Sequence, residues 1–191
     1  MFQDQPAPAG NRQFNDGNRF YINGDFDDEM EWCLIATLRK EIDTQAAAKD
    51  GLIEMYINSD GGSGYLLFQI IELVELAKRK GVKVRTIVSS HAYSCGSMLA
   101  ITGTKGERYI SHFAEHLAHH GQFDGYRKET PLQIERDADR WRRWTTTVIE
   151  HYKKYSDIPN LEEHLKDDHF WIPADQAIKW GLADKYMDEL E

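Results

Sequence analysis

A chain of 191 residues with a net charge of −9, 41% apolar and 29% charged side chains has the make-up of one globular domain. The acidic excess excludes the basic face of a nucleic-acid binder, and no apolar run approaches the ~20 residues of a membrane helix. Cys33 and Cys95 are the only cysteines, so disulfides are not the framework, and a reducing, cytoplasmic setting is expected.

Residues 1–18 are polar and hold Pro6, Pro8, Gly10 and Gly17. They read as a flexible N-terminal tail, without the apolar stretch of a secretory signal. Residues 19–22 form a short strand that stops at the turn signal Asn23-Gly24. After the acidic residues 25–29, Met30, Leu34, Ile35, Leu38 and Ile42 repeat with helical spacing. The apolar run 52–57 reads as a strand and gives way to Asn58-Ser59-Asp60-Gly61-Gly62-Ser63. A second helix carries Leu66, Leu67, Ile70, Ile71, Val74, Leu76 and Ala77 and ends at Gly81. Residues 82–88 are a strand, 92–103 a helix of small and apolar residues, and 107–110 and 114–118 two short extended pieces. Residues 131–155 make one long charged helix with Trp141 and Trp144, and 174–180 a short helix ended by Gly181. Strands alternating with helices imply parallel βαβ crossovers, hence an α/β fold.

Three local features bear on chemistry. The Asn58 to Ser63 turn leads into a helix, where free backbone N–H groups favour an anion; a plain βα turn would look the same. It is neither a P-loop nor a G-x-G-x-x-G fingerprint, so no nucleotide cofactor is expected. In Ala92-Tyr93-Ser94-Cys95-Gly96 a serine sits at a strand-to-helix junction between small residues. That suits a nucleophile elbow, although on the residues alone a serine that caps the following helix is the plainer reading. His112, His116, His119 and His120 lie within nine residues. One of them can serve a serine as general base. With Glu115 they could form a metal set, although the spacing is not H-E-x-x-H and no zinc set is completed. Solvated surface histidines are the plain reading for all but one.

These features occur in an order that resembles the Clp protease proteolytic subunit family. The resemblance covers residues 19–188 and rests on Tyr56-Ile57-Asn58-Ser59-Asp60-Gly61-Gly62, Ala92-Tyr93-Ser94-Cys95-Gly96-Ser97, Lys105-Gly106-Glu107-Arg108-Tyr109, His119, Ala174-Asp175-Gln176-Ala177 and Gly181-Leu182-Ala183-Asp184. It implies an α/β domain over residues 19–191, built as ClpP/crotonase-like stacked βαβ units, with a projecting handle helix in a region of about 122–158. It implies a serine endopeptidase with Ser94 as nucleophile, His119 as general base, and the backbone N–H groups of Gly62 and Cys95 as oxyanion hole. The 121–125 segment would line the substrate groove. A homo-oligomeric ring is implied, a heptamer or stacked double heptamer, with no metal or other cofactor. Because the chain has no P-loop, the family's AAA+ ATPase unfoldase would be a separate partner, and the substrate a peptide or unfolded protein.

Three departures stand out. Asp60 replaces the family's usual Pro, and Cys95 its usual Met. The family's orienting aspartate stands twelve residues before the Gly of the last motif; that position here is His169, preceded by Asp167 and Asp168. Asp168 is assigned to the third catalytic place; Asp167, His169, or a backbone carbonyl with no acid at all are the alternatives. Two alternatives follow: a ring subunit that has lost catalysis, and an acyl-CoA enzyme that shares paired backbone donors.

Overall fold

The computed structural model describes residues 14–121, 130–166 and 169–190. In chain order the elements are β1 (Asn15–Asp16), β2 (Arg19–Phe26), α1 (Asp28–Ala46), β3 (Leu52–Gly62), α2 (Gly64–Arg79), β4 (Lys83–Tyr93), α3 (Cys95–Ile101), β5 (Arg108–Ile110), β6 (Glu115–Ala118), α4 (Pro131–Tyr155), α5 (Leu161–His164), β7 (Phe170–Pro173), α6 (Ala174–Lys179) and β8 (Lys185–Tyr186), followed by a short 3-10 turn. The sheet runs β1-β2-β3-β4-β5-β8. It forks at β4, whose first half pairs with β5 and whose second half pairs with β6, and β6 also pairs antiparallel with β7. The β2–β3, β3–β4, β4–β5 and β4–β6 pairings are all parallel, as the βαβ alternation requires.

Helix α1 starts where Asp27 accepts a hydrogen bond from the Met30 N–H (2.9 Å), with Asp28, Glu29 and Glu31 at the positive end of its dipole. Its buried stripe is Met30, Leu34, Leu38 and Ile42; burying each contributes about 1.5–3 kcal/mol. Helix α2 buries Leu66, Leu67, Ile70, Ile71 and Val74 in the same core as Ile53, Met55 and Ile57 of β3. Helix α4 has the bounds expected of it. Pro131 sits at its start, and Thr130 and Gln133 form a reciprocal capping box. Residues 122–129, at the head of the expected handle, lie outside the described residues.

Three elements differ from expectation. Asn23-Gly24 does not end β2: the register against β3 shifts between Asn23 and Asp25, so this is a bulge inside a strand. Strands β3 and β4 continue beyond their apolar runs to Gly62 and Tyr93. Polar side chains support this extension, since Asn58 Oδ1 accepts from the Ser89 hydroxyl and the Ser90 N–H (both 2.9 Å). Phe14, inside the stretch expected to be a tail, is buried, and its carbonyl accepts from the Tyr21 N–H (2.8 Å). Residues 1–13 are outside the described set.

Buried Arg108 and part-buried Asp184 form an ion pair. Asp184 also accepts the backbone N–H groups of Gly106 (2.7 Å) and Arg108 (3.1 Å), and the guanidinium donates to the Tyr155 carbonyl (2.9 Å). Burial works against the Asp184 carboxylate, but Arg108 and these N–H groups outweigh it and hold its pKa below the ordinary value. Asp184→Ala leaves Arg108 charged and uncompensated, and should cost about 3–5 kcal/mol, measured as the change in urea midpoint. Cys33 is exposed and Cys95 buried, both as free thiols. Among the described residues no helix is long and apolar enough to cross a membrane.

Candidate active site

Parallel α/β sheets place functional groups at the carboxyl ends of their strands. Here β3 ends at Gly62, β4 delivers Ser94, and β6 delivers His119. Ser94 has φ 54° and ψ −117°, a left-handed backbone that costs a non-glycine residue about 1–3 kcal/mol. It occupies the cap position of α3 but makes no side-chain cap bond. Its hydroxyl instead lies 2.7 Å from His119 Nε2. The backbone holds the turn to the base strand, since the Ser94 N–H donates to the Leu117 carbonyl (2.9 Å). Of the two readings open to this serine, the helix cap is the one the geometry removes.

Gly61 and Gly62 lie against this turn. A Cβ on Gly61 would stand 2.7 Å from the Ser94 Cβ, and one on Gly62 2.7 Å from the Phe26 carbonyl oxygen. The Cys95 thiol donates to the Gly62 carbonyl (3.3 Å). Burial first of all pushes its pKa up to about 11, so it is no competing nucleophile at neutral pH. Gly62, Ser94, Cys95 and His119 all line one cavity of about 950 Å³.

That cavity runs between α2 and α4. Tyr65, Phe68, Trp141 and Trp144 supply aromatic walls, which the sequence reading did not assign to the site. Trp144 packs edge-on to Phe68 (5.3 Å between centroids) and donates its indole N–H to the His120 carbonyl (2.8 Å). The spacing of Trp141 and Trp144 on one helix was the available signal. Gly121 also lines the cavity; positions 122–125 are outside the described residues.

The other histidines are dispersed. His112 is exposed, 3.3 Å from Asp188 and stacked on Tyr186. Glu115, the carboxylate considered with them, instead accepts from the Tyr93 hydroxyl (2.6 Å). Among the described residues no three His, Cys, Asp or Glu side chains are grouped to hold a metal. His116 corrects the expectation of solvated histidines: it is fully buried, with Nδ1 2.9 Å from the Ser97 hydroxyl. Asp167 and Asp168 lie outside the described residues. His169 is described, and its ring stacks on that of His119 at 5.8 Å and 16°, with Trp171 stacked beyond it (6.4 Å).

Burial pushes the pKa of His116, and of His151 on α4, down to about 4. Both are held neutral in the fold while the unfolded chain takes up protons below the ordinary value of 6.5. Stability should therefore fall as pH drops from 6.5 towards 4, by up to about 3 kcal/mol for each histidine. Urea unfolding at pH 7 and pH 4.5 measures the slope, and His116→Gln should flatten it.

A serine hydroxyl bonded to an imidazole, on a strained strand-to-helix turn beside glycine backbone, is the nucleophile–base arrangement of serine hydrolases. Comparison with known proteins narrows the class. The family model described as Clp protease matches residues 12–189. The chain is 34% identical over 140 residues to the ATP-dependent Clp protease proteolytic subunit of Deinococcus radiodurans, covering 72% of this chain and 65% of that one. It is 31% identical over 169 residues to the subunit of the same name from Ligilactobacillus salivarius, covering 87% and 81%. For the Streptococcus pyogenes serotype M5 subunit the identity is 28% over 172 residues, covering 89% and 84%. The chain belongs to the Clp protease family.

Proposed function

We propose that this protein is a serine endopeptidase that cleaves peptides through an acyl-enzyme. The observation that carries the reading is the 2.7 Å contact between the Ser94 hydroxyl and His119 Nε2 at a strained backbone. His119 takes the hydroxyl proton as Ser94 Oγ adds to the scissile carbonyl. The backbone N–H groups of Gly62 and Cys95 receive the oxyanion, a donor of this kind being worth roughly 3–4 kcal/mol. His119 then gives its proton to the departing amine, leaving Ser94 acylated. Water, deprotonated by His119, releases the acid and restores the hydroxyl. Asp168 is proposed as the carboxylate that orients His119. His169, whose ring stacks on that of His119 (5.8 Å), is the alternative occupant of that place.

The relatives' printed name, ATP-dependent Clp protease proteolytic subunit, supports a subunit that works with a separate ATPase; a homo-oligomeric ring and a cytoplasmic setting are part of the same proposal. The chain from Phe14 onward, rather than from Arg19, forms the single peptidase domain, with the handle around α4. The aromatic cavity is the groove for an extended peptide. A non-catalytic ring subunit is the weaker reading, because an idle serine has no reason to keep a strained turn aimed at a histidine. The test is hydrolysis of short fluorogenic peptides by the assembled oligomer, with ring size from native mass spectrometry. Turnover abolished by a fluorophosphonate is expected. Intact rings with no turnover at any pH would leave the non-catalytic reading standing.

A further inference from the structure

Ser97, His116 and Tyr152 form a buried hydrogen-bond chain that the proposed chemistry does not use. Tyr152 of α4 donates its hydroxyl to Ser97 Oγ (2.9 Å), and Ser97 Oγ lies 2.9 Å from His116 Nδ1. None of the three is more than 1% exposed. Nε2 of His116 has no partner among the described residues. The chain joins three separate elements.

Those elements are the ones that carry the site. Ser97 lies three residues after Ser94, and His116 three residues before His119. The nucleophile turn is thus tied to β6 twice, by the Ser94 N–H on the Leu117 carbonyl (2.9 Å) and by Ser97 on His116. A single tie lets one element pivot about it; two spaced ties fix translation and rotation together. Tyr152 brings α4, which walls the groove, onto the same point. An apolar trio of similar volume would fill this space at no polar cost, so packing alone does not account for the hydroxyls and the ring. Hydrogen bonds add direction, and a displacement of about 1 Å at a reacting pair costs on the order of 10²-fold in rate.

We propose that Ser97, His116 and Tyr152 are positioning residues that lock the nucleophile helix, the base strand and the handle helix in one register, keeping Ser94 in line with His119. The proposal rests on the serine-peptidase reading. The experiment measures kcat and KM for a fluorogenic peptide, and the rate of Ser94 labelling by a fluorophosphonate, in Ser97→Ala, Tyr152→Phe and the double variant, well below each melting temperature. The expected result is a fall in kcat and in labelling rate of about 10–100-fold with KM held within about 2-fold. The double variant should be no worse than the more severe single one. If Ser97→Ala fails to fold, Tyr152→Phe, which removes one oxygen, decides alone. Variants that lose stability yet keep kcat within about 2-fold of wild type overturn the proposal and leave the trio as core. A wild-type protein that neither hydrolyses peptide nor takes the label refutes the peptidase reading instead.

Discussion

Ser94→Ala is expected to lower peptide turnover by about 10⁶-fold, the loss seen when the nucleophile of a serine protease is removed. The nearest other nucleophile cannot stand in. The Cys95 thiol is 4% exposed, donates to the Gly62 carbonyl, and has its pKa raised to about 11. Stability should change by no more than about 1 kcal/mol, because the hydroxyl caps nothing in α3 and alanine meets the same backbone strain at φ 54°. His119→Ala should fall in the same range, and the double variant should be no worse, since the two residues act as one unit. Turnover beside a thermal melt checks both halves of the claim.

The second large effect concerns the glycine pair. Gly61 has φ +109° and Gly62 φ +132°, which side chains rarely adopt. The space is closed as well: a Gly61 Cβ would lie 3.1 Å from Ser94 Oγ, and a Gly62 Cβ 2.8 Å from the Phe26 nitrogen. Backbone has to shift in either variant, and the Gly62 N–H shifts with it. Gly61→Ala and Gly62→Ala should each lower kcat by about 10²–10³-fold, the cost of losing one oxyanion donor. Gly24→Ala is the control. Its φ is +80°, with nothing within 4 Å of the added carbon, so it should lose about 1 kcal/mol of stability and keep full activity.

Sequence reasoning was strongest where local chemistry decides. Helix α4 carries its own start signals in Thr130, Pro131 and Gln133, and α1 its buried stripe. It was weakest where pairing overrides composition. Asn23-Gly24 looks like a turn, and Asn58 to Gly62 like a loop, until neighbouring strands take up their hydrogen bonds. At Ser94 the local residues favour a helix cap over a nucleophile. The difference lies in a φ angle and a 2.7 Å contact made across 25 positions of chain, which no local pattern contains. His116 is polar by composition and buried by topology, because its ring faces Ser97 of α3, with Tyr152 of α4 on the far side of that serine. The proposed acid falls in the run Asp167-Asp168-His169, where a shift of one residue in the alignment changes which side chain is assigned to the third place.

The central claim is that Ser94 is the acylated residue. Peptide mapping by tandem mass spectrometry after fluorophosphonate treatment of the assembled protein tests it most directly. One adduct per chain, on Ser94, absent from His119→Ala and blocked by prior peptide-aldehyde binding, is the expected result. An adduct on any other side chain, or an unmodified Ser94 in intact rings, would contradict it.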